Sequence, residues 1–234
     1  MREIVFDTET TGLKAEGGDR IIEIGAFELE NRFPTGRTFH VYINPEGREV
    51  DPEAYRVHGI SNADLTGKPT FAEIVADFLE FVGDGMLVAH NASFDMAFVN
   101  AELARIGHPP FAAERVVDTL VMARRRHPMG PNSLDALCQR YGIDNSHRTR
   151  HGALLDSELL AEVYIELNGG RQANLLLDSE TRATRTGVMA PEPMPGERRQ
   201  RDTPLAPRLS ARDLEAHRGF VATLGDKAIW LQYD

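Results

Sequence analysis

Glu3-Ile4-Val5-Phe6-Asp7-Thr8-Glu9-Thr10-Thr11-Gly12 begins as an apolar run and ends on two carboxylates one residue apart. Residues 3–8, rich in Ile, Val and Phe, read as a strand. Side chains alternate faces along a strand, so Asp7 and Glu9 point one way and Thr8 the other. Two further strand-like runs follow at residues 20–30 and 37–43, with turn residues between them, and the three together read as an antiparallel meander.

Past the meander the apolar spacing changes from two to three and four. Phe71, Ile74, Val75, Phe78, Leu79 and Val82 recur at helical intervals behind Thr70-Phe71-Ala72-Glu73, a capping box, and Gly83 and Gly85 end the helix. A short strand is predicted over residues 86–90, then a helix that buries Phe94, Ala97, Phe98, Ala101 and Ala104 and stops at Gly107, Pro109 and Pro110. Val116-Val117 makes another short strand. Helices near 119–126, 133–141 and 153–167 follow, the last with Leu155, Leu159, Val163 and Leu167 on one face. The order predicts an α/β fold, a mixed sheet flanked by helices, over residues 1–170.

Composition shifts after Gly169-Gly170. Residues 178–208 hold five prolines, six arginines and almost no aliphatic periodicity, as expected of a flexible linker spanning residues 171–208. Periodicity returns in residues 209–234, where Ser210-Ala211-Arg212-Asp213 reads as a capped helix start. So short a segment cannot bury a core of its own, and its apolar residues, with Trp230 among them, point to a docking tail.

The 234 residues carry a net charge of −10. Residues 1–170 contain 16 Lys and Arg against 27 Asp and Glu, a net −11, and the remainder is +1. That is the wrong sign for holding nucleic acid by phosphate neutralisation, so a front domain that handles a polyanion needs bound divalent cations and a partner to deliver it. The single cysteine, Cys138, lies in an amphipathic stretch and reads as a buried structural thiol. With no basic leader and no run of about 18 apolar residues, a soluble cytoplasmic protein is expected.

Taken singly, the acidic residues are ambiguous. Asp7-x-Glu9 could be a solvated strand edge, Asp95 an acid favoured by a helix N-terminus, and Asp156, five residues after His151, another early-helix acid. Together, in this order on a strand end, a helix start and a later helix, they resemble the DEDDh exonuclease superfamily. Nearly all of residues 2–170 is further similar to the epsilon family, the proofreading subunits of bacterial DNA polymerase III, at residues 7–12, 57–60, 90–95, 118–119, 132–138 and 142–156.

The resemblance implies a ribonuclease-H-like fold and a 3′→5′ exonuclease acting on single-stranded or frayed DNA 3′ ends at the replication fork. It implies that Asp7, Glu9, Asp95 and Asp156 hold two divalent metal ions and that His151 is the general base. Hard oxygen ligands suit Mg²⁺ or Mn²⁺, and no paired Cys or His set suits zinc. By the same resemblance Thr10, Gly12, Leu13, Val57 and His58 line the terminal-nucleotide pocket, though His58 alone reads equally well as a capping or core residue. His90 and Asn91 read as braces of the strand-to-helix junction.

The partners implied are the catalytic (alpha) subunit, a small accessory subunit and the sliding clamp. Residues 172–177 resemble clamp-binding peptides, with Gln172, Leu175 and Leu177 as anchors, or else they are a helix remnant. Leu214, Val221, Leu224, Trp230 and Leu231 are the expected anchors of the tail on the polymerase. An RNA-directed exonuclease would share the five site residues, but has no need of a tethered tail. A catalytically dead scaffold would have no need of those residues.

Overall fold

A computed structural model describes residues 1–148, 150–170 and 210–224. The chain divides into two units, Met1–Leu176 and Leu177–Asp234. In the first, β1 (Arg2–Thr10), β2 (Ile21–Glu30) and β3 (Phe33–Tyr42) form the expected antiparallel meander. The edge strand β3 starts four residues earlier than the sequence suggests, because Pro34 and Gly36 interrupt the apolar pattern there without ending the pairing. After α1 (Pro52–His58) and α2 (Phe71–Val82), β4 (Met86–Ala89) returns parallel to β1. Then α3 (Ala92–Arg105) leads to β5 (Val116–Asp118), giving a five-stranded mixed sheet of order β3-β2-β1-β4-β5. Helices α4 (Thr119–Arg126), α5 (Leu134–Tyr141) and α6 (Ala153–Leu167) complete the unit.

The two faces of β1 belong to different cores. Ile4 and Phe6 pack with Phe71 and Phe78 of α2 and Phe98 and Leu103 of α3, whereas Val5 packs with Leu160, Ala161, Tyr164 and Ile165 of α6. Helix α6 is buried on a second side too, where Leu159, Val163 and Leu167 meet Ala123 of α4 and Leu137 and Cys138 of α5. Cys138 is fully buried, and burial pushes its thiol pKa up to about 11, as a structural thiol requires. Helix α2 begins at the capping box, with the Thr70 backbone N–H donating to the Glu73 carboxylate at 2.7 Å.

The buried face of α3 differs from the one expected. Ala97 and Ala104 are exposed, and Met96, Phe98, Val99 and Leu103 are buried together with Asp95 and Glu102. The helix turns two carboxylates inward because each has a partner there. Arg20 donates to Glu102 at 2.7 Å, and Thr8 donates to Asp95.

In the second unit, α7 (Ala211–Thr223) starts where its sequence predicts, the Ser210 N–H donating to Asp213 at 3.0 Å. Of the expected anchors, Val221 is buried while Leu214 and Leu224 are exposed. The linker 171–208, with Gln172, Leu175 and Leu177, and the residues Trp230 and Leu231 lie outside the described residues. Among the described residues no helix is long and apolar enough to cross a membrane.

Candidate active site

The alternation that sends Val5 toward α6 carries on to the end of β1, so Asp7 and Glu9 emerge on the α6 side and Thr8 on the α3 side. Asp95, in the first turn of α3, closes on this strand end from the other face. One of its oxygens accepts from the Thr8 backbone N–H at 3.1 Å and from the Thr8 hydroxyl at 2.8 Å. Asp156 lies in the first turn of α6, and a glycine determines how near it comes. Gly25 stands opposite Asp7 in the sheet, and a Cβ there would lie 2.1 Å from the backbone of both Ala153 and Leu154. Only a residue without a side chain lets α6 start flush against the sheet. Glu23, two residues earlier on β2, accepts from the Ala153 N–H at 3.2 Å and is itself held by His40 Nε2 at 2.7 Å. His151 is tied to α1 by its backbone N–H, 3.3 Å from the Val57 carbonyl.

Four carboxylates and a histidine thereby meet at the carboxyl end of β1. Glu9, His151 and Asp156 each offer an atom within 4.8 Å of the others. A cavity of about 230 Å³ opens beside them, lined by Asp7, Glu9, Asp95 and His151 and also by Thr10, Leu13, Val57 and His58. Asp156 lines an adjoining cavity with Asp7 and His151. Of the expected pocket residues Gly12 alone does not reach the lining. Its carbonyl accepts from the Thr10 hydroxyl at 2.6 Å, so its part is to shape the turn. His58 is buried, accepts at Nδ1 from the Ile60 N–H at 3.0 Å and also lines the cavity. His90 bonds Thr119 at 2.9 Å and Asn91 takes a left-handed conformation at the start of α3, and both also line the cavity.

So much negative charge under cover is costly. Burial, then Asp95, Glu9 and Asp156, raise the Asp7 pKa well above the usual carboxylate range. Burial first, with Asp156, Glu23 and Asp95 behind it, pushes Glu9 up to about 8. Asp95 is pushed to about 7 by burial, against the opposing hydrogen bonds from Thr8. His151 is held below the ordinary imidazole value by burial and by Arg148, opposed by Asp156. A buried oxygen of Glu9, Oε1, has no hydrogen-bond partner among the described residues. Such an atom needs a donor or a cation, and the neighbours are oxygen donors of the kind hard divalent ions take. The residues present therefore fit a metal site.

Arg148 is a residue of the site that the sequence alone does not single out. Its guanidinium donates to both Asp156 oxygens, to Asp135 and to His151. The usable signal was the shortage of cations, since a cluster of buried carboxylates next to His151 calls for a nearby Arg, and the loop before α6 offers only Arg148 and Arg150.

A family model for exonucleases, RNase_T, matches residues 4–164. A DNA polymerase III subunit epsilon of Rickettsia felis is 44% identical over 227 residues, covering 96% of this chain and 97% of that relative. The chain belongs to the DNA polymerase III epsilon family. The epsilon subunit of Rickettsia conorii is 53% identical over 176 residues, 74% of this chain and 76% of the relative. In fold, the nuclease domain of 3′hExo, a DEDDh family member solved with rAMP, is similar at a TM-score of 0.61 and 20% identity, covering 72% of this chain and 92% of that one. As an epsilon-family member the chain is a metal-dependent 3′→5′ exonuclease of the proofreading kind, in a family whose general mechanism uses two metal ions.

Proposed function

We propose that Asp7, Glu9, Asp95 and Asp156 hold two Mg²⁺ or Mn²⁺ ions at a DNA 3′ end and that His151 is the general base. The unpartnered buried oxygen of Glu9, set among three other carboxylates at the mouth of a cavity, carries this reading. When bound, the ions would lower the pKa of the attacking water and neutralise charge on the departing 3′-oxygen. His151, kept neutral near pH 7 by burial and Arg148, receives the water's proton on a ring nitrogen. Thr10, Leu13, Val57 and His58 receive the terminal nucleotide, the apolar Leu13, Val57 and Phe94 meeting the base and Thr10 the sugar. Gly12 supports them by fixing the turn. The product is a 5′-mononucleotide.

Only an unpaired nucleotide reaches such a cavity, so discrimination against mispairs needs no residue that reads them. A mismatched end has already lost most of the unpairing cost. The test is digestion of matched and mismatched primer ends in Mg²⁺, beside an RNA oligonucleotide. Faster loss of the mismatched nucleotide is expected, and equal rates at 37 °C would count against proofreading by this route.

The acidic front domain binds DNA poorly by itself, and the second unit supplies delivery. Residues 209–234 dock on the polymerase catalytic (alpha) subunit through Leu214, Val221, Leu224, Trp230 and Leu231. Residues 171–208 are the tether, and Gln172, Leu175 and Leu177 engage the sliding clamp, all in the bacterial cytoplasm. The exposure of Leu214 on α7 and of Leu224 at its C-terminal cap supports such a contact. Phe220, more exposed than either, joins that set.

A further inference from the structure

Arg148 sits in the loop between α5 and α6 with its side chain 7% exposed, deeper than a solvated loop arginine. Nε and Nη2 fork onto the two oxygens of Asp156, Nη2 lying 2.7 Å from Oδ2. Nη2 also lies 2.9 Å from Nδ1 of His151, and Nη1 is 2.8 Å from Oδ1 of Asp135. Asp135 is half-exposed at the start of α5, where Asn145 also bonds it at 3.0 Å.

One planar group thus engages two members of the reaction centre at once. A bidentate guanidinium saturates the carboxylate edge it faces, and this is among the strongest pairings available to Asp156. A guanidinium only donates, so Nδ1 of His151 must be the acceptor and the proton of the neutral ring sits on Nε2. Neither nitrogen then has a lone pair free for the water's proton. The Asp135 contact uses a different nitrogen, Nη1, and does not depend on the fork. The guanidinium can let go of Asp156 and His151 while staying anchored to α5.

We propose that Arg148 is a positioning residue that latches Asp156 and His151, so that a divalent ion engages Asp156 only by displacing the fork, and the same displacement frees His151 Nδ1 for base work. The proposal rests on the assignment of Asp156 as a metal ligand and His151 as the base. The exchange is electrostatically favourable, since a single positive charge gives way to an ion of higher charge in a field of several carboxylates.

The experiment is calorimetric titration of the full chain, stripped with a chelator and dialysed, with Mn²⁺ alone. Wild type is compared with Arg148→Lys, Arg148→Gln and Asp156→Asn, each checked by thermal melting. Lysine keeps the charge but cannot span two oxygens and a ring nitrogen, so Arg148→Lys separates the fork from the general field of a cation. Arg148→Lys should bind Mn²⁺ roughly tenfold more tightly than wild type, the scale of losing a bidentate competitor. Asp156→Asn should bind it far more weakly. Arg148→Lys at wild-type affinity or weaker, with Asp156→Asn impaired, overturns the latch and leaves the site assignment standing, even if Arg148→Gln binds more tightly. Asp156→Asn at wild-type affinity overturns the site assignment and the latch with it. Should Arg148→Gln fail to fold, the isocharged Lys variant still decides.

Discussion

Burial and neighbouring carboxylates hold Glu9 at a pKa of about 8 and Asp95 at about 7, with Asp7 also well above its ordinary range. In the unfolded chain such groups titrate near about 4. Between those limits the folded chain binds more protons than the unfolded one, so stability falls as pH rises. The contribution is fully present below about pH 4 and is lost as pH climbs through the folded values of about 7 and about 8. In excess chelator the melting temperature should therefore drop between pH 5.5 and pH 8, and Mn²⁺ should restore more of it at pH 8 than at pH 6. Binding of Mn²⁺ at pH 7 should also release protons, visible as a calorimetric heat that changes with the ionisation enthalpy of the buffer. A melting profile flat in pH, with no proton release, would show that these carboxylates are ordinary surface acids.

At the scale of elements, the site depends on α6 starting flush against β2, and Gly25 permits it. Gly25→Ala sets a methyl against the backbone of Ala153 and Leu154, which cannot rotate aside as a side chain could. The expected cost is about 1–3 kcal/mol of stability from overpacking, with loss of nuclease turnover because Asp156 moves with the helix. Unchanged melting and unchanged turnover would show that α6 tolerates displacement. Elements with a strong period were legible in the sequence, including β1, α2 behind its capping box, and α6. Helix α1 was not, since it is only seven residues long and shows mainly an N-cap, Asp51, and a proline at its start. The face of α3 was misjudged because Asp95 and Glu102 are buried there, and apolar spacing cannot register a carboxylate turned inward toward Thr8 or Arg20. Asp7, Glu9, Asp95, His151 and Asp156 were legible from their order. Arg148 was not, because only the folded loop brings it to Asp156.

For the whole molecule, a domain of net −11 joined to a remainder of +1 frames the delivery problem. On the proposed docking, tethering to a polymerase would raise the effective concentration of DNA ends to about the millimolar range, offsetting weak intrinsic affinity. Truncation after residue 178 should leave hydrolysis of free single strands near the wild-type rate and eliminate co-purification with the polymerase catalytic subunit. A truncated chain that still forms that complex at its original affinity would move the contact into the exonuclease domain. The central claim, that the buried carboxylates exist to hold the ions that cut DNA, is tested most directly by Asp7→Ala and Asp156→Ala on a 5′-labelled single strand in Mg²⁺. The wild type should shorten the strand stepwise from its 3′ end. Each variant should leave it intact. In chelator, Asp7→Ala should melt no lower than the wild type, since removing that carboxylate relieves repulsion among the rest, whereas Asp156→Ala strands the Arg148 guanidinium and should melt lower while staying folded. Near-normal shortening by either variant would contradict the assignment of these carboxylates as the metal site.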